Sequence, residues 1–111
     1  MIERFPSPTL ARRCWHPAAD LYRITDGWLV KLELAGVALT DVQVHVTDRR
    51  LYVAGVRRDL ITEVGVSCQS LEISYDSFER SIEFPVDLTA AEISSEMQHG
   101  MLLVRIRLPA G

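Results

Sequence analysis

A chain of 111 residues has room for one small hydrophobic core and little for a second. At 48% hydrophobic residues it can fill that core, which excludes a disordered polymer. A net charge of −3 lacks the basic footprint of a nucleic-acid binder, so nucleic acid is not an expected partner.

The chain opens with residues 1–19, rich in Pro, Arg and Ala and without a sustained period. Pro6, Pro8 and Pro17 forbid regular pairing there, so the segment reads as a short flexible arm. It has neither the apolar centre nor the cleavage site of a signal peptide, and no apolar run in the chain is long enough to span a bilayer. The expectation is a cytoplasmic protein whose two cysteines, Cys14 and Cys68, are free thiols.

From Asp20 onward the pattern has period two. LYRIT (21–25) leads to Asp26-Gly27, a dipeptide suited to a tight hairpin turn. WLVKLELA (28–35) follows, with Trp28, Val30, Leu32 and Leu34 on one face. VQVHVT (42–47) aligns Val42, Val44 and Val46, and RLYVAGV (50–56) comes after a turn at Asp48-Arg49. The pairs Arg12-Arg13, Arg49-Arg50 and Arg57-Arg58 read as solvated turn residues.

Residues 57–69 form a loop too long for a hairpin, and Leu60, Ile61, Val64 and Val66 make it too aliphatic for disorder. It either folds over its own domain or exchanges with a partner. LEISY (71–75) and FERSIEF (78–84) are predicted strands with a kink or bulge at Asp76-Ser77, and Pro85 ends the run. Thr89 and Glu92 have capping-box spacing for one helical turn. A weak strand is expected near 94–97, and MLLVRIRL (101–108) is the last strand.

Seven to nine short strands without a long helix predict an all-β fold, a two-sheet antiparallel sandwich of immunoglobulin-like type spanning residues 20–111. Neither a Gly-rich phosphate loop nor a nucleophile elbow is present, and His16, His45 and His99 have no metal-ligand spacing. No enzyme, cofactor or metal is therefore expected. Arg80 stands out, because it shares a strand face with Phe78 and Ile82 and must snorkel, bury a paired charge or meet another chain.

Four motifs in order resemble the alpha-crystallin domain of the small heat-shock proteins, in its bacterial and plant form, from about Trp15 to Pro109. They are W-H-P-A-A-D-L-Y, L-E-L-A-G-V with Ala35 where proline is usual, F-E-R-S-I-E-F-P, and S-x-x-x-H-G-M-L with Gly100 and Leu102 in the defining places. Ser95 and His99 replace the usual Ala and Asn, Asp76 stands where glycine is common, and the sequence stops at L-P-A-G without an Ile-x-Ile/Val tail.

The resemblance implies an ATP-independent holdase, a homodimer or small oligomer that binds partly unfolded client proteins. It places Arg80 at the dimer interface, paired with Asp76, Glu72 or an acidic residue of the exchanged loop that carries Leu60, Ile61 and Val64. It implies a client- or tail-binding groove from Val42, Val44, Val46, Ser95 and Met97, and further client contacts from Ile2, Phe5, Leu10 and Trp15 of the arm. Two other readings are a monomeric adaptor similar to CS-domain co-chaperones, which would need neither the long loop nor an interface arginine, and a purely structural assembly subunit.

Overall fold

A computed structural model describes residues 14–110. The strands are β1 (Ala19–Ile24), β2 (Gly27–Glu33), β3 (Val42–Thr47), β4 (Arg50–Arg57), β5 (Asp76–Glu83), β6 (Glu92–Gln98) and β7 (Met101–Arg107), with one 3-10 turn at Leu39–Asp41. Two antiparallel sheets result, one in the order β1-β2-β7-β6 and one in the order β3-β4-β5. Among the described residues no helix is long and apolar enough to cross a membrane.

The predicted period decides which side chains are buried. Val30, Leu32 and Leu34 from β2 and its end meet Leu102, Val104 and Ile106 from β7, all fully buried. Leu51 and Val53 of β4 and Phe78 of β5 close the core from the other sheet, joined by Phe84 and Leu88. Burying each such side chain contributes about 1.5–3 kcal/mol before chain entropy is counted. Trp28 meets Phe84 edge-on at 5.4 Å between ring centres, an aromatic contact between the two sheets.

Several local expectations change. The first hairpin turns at Thr25-Asp26, and Gly27 is already paired in β2. Glycine is needed there because a Cβ would collide with the carbonyl of Ile106 in β7. The segment 71–75 is not a strand: Arg57↔Asp76 is the last β4–β5 pair, no described strand pairs with the segment, and Asp76 turns the chain with φ 66°. No helix opens at Thr89, because the carboxylate of Asp87 accepts from both the N–H (2.8 Å) and the hydroxyl (2.6 Å) of Thr89. The weak strand predicted at 94–97 is a full seven-residue strand, β6.

Backbone pairing also involves residues before Asp20. Trp15 bridges Phe78 in parallel, donating its N–H to the carbonyl of Ser77 (3.1 Å) and accepting from the N–H of Glu79 (3.0 Å). Its ring packs 5.4 Å from that of Phe78.

Candidate interaction surfaces

The loop leaves the sandwich at Arg58 and returns at Asp76, and no residue between them belongs to a strand. Leu60, Ile61, Val64, Val66, Leu71 and Ile73 are each more than half exposed. The excursion thus carries six large aliphatic side chains that the sandwich leaves uncovered. Locally the loop is ordered by its polar residues, as where Asp59 accepts from the N–H of Ile61 at 3.0 Å.

The root of the loop is held from two sides. Arg58 grips Asp41 with two hydrogen bonds of 3.0 Å, which hold the Asp41 carboxyl below the usual carboxylate range. Arg57, read from sequence as a solvated turn residue, is buried instead. Its Nε donates to the carbonyl of Ser74 (2.9 Å), its Nη1 to that of Ala35 (3.0 Å), and it lies 4.3 Å from the centre of the Trp15 ring. The missed signal was phase: Arg57 continues the inward series Leu51, Val53, Gly55.

At the opposite end of the other sheet, β1 has β2 as its one neighbour, so its second edge is unpaired among the described residues. Leu21 shares the inward phase of Val30 yet is 45% exposed, because it overhangs the core at that edge. Lys31 reaches Asp20 (3.6 Å) and the Tyr22 ring (5.4 Å) on the outer face. The edge thus offers main-chain groups and one uncovered leucine.

Arg80 lies opposite Val53, on the inward face with Phe78 and Ile82, and is half-buried. Among the described residues it makes no ion pair or side-chain hydrogen bond; Asp76 and Glu72 are exposed and not joined to it. It borders a cavity of about 730 Å³ beside His16, whose Nδ1 donates to the carbonyl of Glu79 at 2.9 Å, and the stacked rings of His45 and Tyr52.

The residues expected to line a groove lie on β3 and β6, each an edge strand of its own sheet. Val42, Val44, Val46, Ile93 and Met97 lean on the common core and are half-buried. Ser95 has the same inward phase as its partner Val104 but is exposed, leaving a notch between Ile93 and Met97. Gly100, with φ 78°, follows His99, with φ 52°, in the tight β6–β7 turn, and Leu102 is fully buried beyond it. Of the arm residues, Trp15 is packed on β5 as described, and Ile2, Phe5 and Leu10 lie outside the described residues. Cys14 and Cys68 are free and exposed, and partial desolvation followed by the charge of Glu79 pushes the Cys14 thiol up.

This chain is similar to small heat-shock proteins. Small heat shock protein C2 of Rickettsia felis is 24% identical over 102 residues, 92% of this chain and 66% of that protein. Heat shock protein 16 of Schizosaccharomyces pombe is 31% identical over 94 residues, 81% of this chain and 64% of that protein. The chain spans between about half and two thirds of the length of the curated relatives it matches. The solved structure of Heat shock protein 16.0 from S. pombe has a TM-score of 0.73 at 28% identity, covering 83% of this chain and 86% of that one. With the profile of the Hsp20/alpha crystallin family matching residues 20–110, this two-sheet chain belongs to that family.

Proposed function

We propose that the chain acts as an ATP-independent holdase, a dimer or small oligomer that binds unfolding proteins in the cytoplasm and keeps them from aggregating. The observation that carries this reading is a pair of incomplete surfaces. An aliphatic excursion at 58–75 has no partner strand, and the β1 edge has no second neighbour among the described residues. Residues 58–68 of one subunit add a strand to the edge of the other near Leu21 to Thr25, and main-chain hydrogen bonds complete both. Arg80 then finds its carboxylate partner across the interface, with Asp76, Glu72 or a loop acid supplying it.

Client binding needs no bond chemistry and no cofactor. Exposed apolar segments of a client bury area on the chaperone, at roughly 25 cal/mol per Å², instead of on one another. The β3/β6 groove with its Ser95 notch and the arm residues Ile2, Phe5, Leu10 and Trp15 are the proposed contacts, with Trp15 available only where it leaves β5.

The test is light scattering after size exclusion at several concentrations, on the parent and on a chain lacking Asp59–Val66, together with aggregation of a heat-labile enzyme. A parent dimer, a monomeric deletion and suppressed aggregation support the reading. A monomeric parent without suppression moves the function to an adaptor that binds another chaperone.

A further inference from the structure

Four segments distant in sequence meet at one guanidinium. Arg57 ends β4, the return limb of the loop contributes the Ser74 carbonyl, the bend after β2 contributes the Ala35 carbonyl, and the entry segment contributes the Trp15 ring. Arg57 is 9% exposed, and these partners include no carboxylate. Its charge is held by two carbonyl dipoles and one aromatic face, all of which a released guanidinium would exchange for water.

The positions of these partners matter more than their number. Arg57 and Ser74 stand at the two ends of the excursion, so the bond between them closes its base. Trp15 is pinned to β5 through Ser77 and Glu79, immediately beyond the point where the loop returns. Trp15 and residues 71–76 border a common cavity of about 450 Å³, and Arg57 touches the entry segment at Trp15 and the return limb at Ser74.

We infer that Arg57 is a positioning residue that couples the 58–75 excursion to the entry segment at Trp15. The guanidinium sets how the loop leaves the sandwich while it seats Trp15 against β5, so displacing either segment releases the other. The consequence for dimers rests on the loop-exchange reading; the coupling itself does not. Arginine is required because its planar fork reaches two carbonyls while its flat face covers an indole. Lysine keeps the charge but presents a point donor, which satisfies one carbonyl and loses the stacked face.

The test compares the full chain with Arg57→Lys, Trp15→Leu and the core control Ile106→Val. Hydrogen exchange of the Glu79 amide reports the Trp15 seat, and chymotryptic cleavage after Tyr75 reports the return limb. Arg57→Lys is expected to speed both by about tenfold, within the usual range of coupling between sites. Trp15→Leu is expected to speed cleavage after Tyr75 by a similar factor, and Ile106→Val to do neither. Arg57→Lys that loosens one segment alone, or that behaves as the core control does, overturns the coupling. A dilution series then separates the two ideas: a parent monomeric at every concentration fails loop exchange, while the two local readouts still decide the clamp. A parent dimer with both local readouts unmoved in Arg57→Lys fails the clamp and leaves loop exchange standing.

Discussion

Gly100 and Ala35 face each other so closely that a Cβ on Gly100 would lie 3.2 Å from the Ala35 Cα. The N–H of Leu34 donates to the Gly100 carbonyl at 2.9 Å, so the L-E-L-A-G-V and H-G-M-L motifs touch through their backbones. Gly100 also has φ 78°, where an L side chain is strained. Gly100→Ala should therefore lose about 2 kcal/mol or more in a urea melt, combining left-handed strain with crowding. Gly65→Ala, with φ 85° and open space around its Cβ, should lose only the strain, about 1 kcal/mol. Equal losses at the two positions would show that the contact with Ala35 is unimportant.

Gly27→Ala should be the most damaging of the glycine changes, because the added methyl meets the β7 backbone and no rotamer can move it away. A loss at the upper end of the about 1–3 kcal/mol overpacking range, or outright failure to fold, is expected by circular dichroism.

Acid stability should depend on Asp41 and Asp87. Hydrogen bonding from Arg58 lowers the first carboxyl, and hydrogen bonding from Thr89 lowers the second. Each binds its proton less readily folded than unfolded, so the unfolded chain takes up more protons as the solution becomes acidic. The stabilisation is present above the ordinary carboxylate value, about 3.9, and is lost as pH falls through the lowered folded value. Urea midpoints measured from pH 6 to pH 2.5 should fall less steeply in Asp41→Asn and Asp87→Asn than in the parent. Both groups are solvent-accessible, so salt should shrink the difference.

Arg80→Leu separates a contact within a subunit from one between subunits. The described protomer gives Arg80 no carboxylate, so in dilute monomer the change should be neutral to within about 0.5 kcal/mol or stabilising. At high concentration, removing one member of a buried interface pair should cost about 3–5 kcal/mol of dimer stability. Sedimentation equilibrium tests this, and an unchanged dimer constant would sink the paired role.

Ser95→Leu fills the notch between Ile93 and Met97. Thermal stability should hold or rise, while a short Ile-x-Ile peptide should bind about tenfold more weakly, about 1.4 kcal/mol. Undiminished binding by calorimetry would move the apolar site off the β3/β6 groove.

Strand existence and burial were legible in the residues because the period of two is enforced by the pleat. The phase of Trp28 to Leu34 and of Leu102 to Ile106 predicted which side chains meet in the core. The aliphatic content of the 57–69 loop suits either packing over its own domain or exchange with a partner, and only the structure shows Leu60, Ile61 and Val64 exposed. The period of two misled at LEISY, whose alternation suits a strand but which pairs with no strand among the described residues. Propensity describes a segment, whereas a strand needs a neighbour.

What the sequence by itself determined is the sandwich and its inward faces, because these depend on local spacing and apolar content. Tertiary structure alone decided the environments of the arginines. Arg57, Arg58 and Arg80 are chemically alike in the chain, yet one is buried on carbonyls and an indole, one is paired with Asp41, and one has no carboxylate partner among the described residues. A charged side chain takes its role from the groups that surround it, and here these come from residues 15, 35, 41 and 74, far along the chain from the arginines they hold.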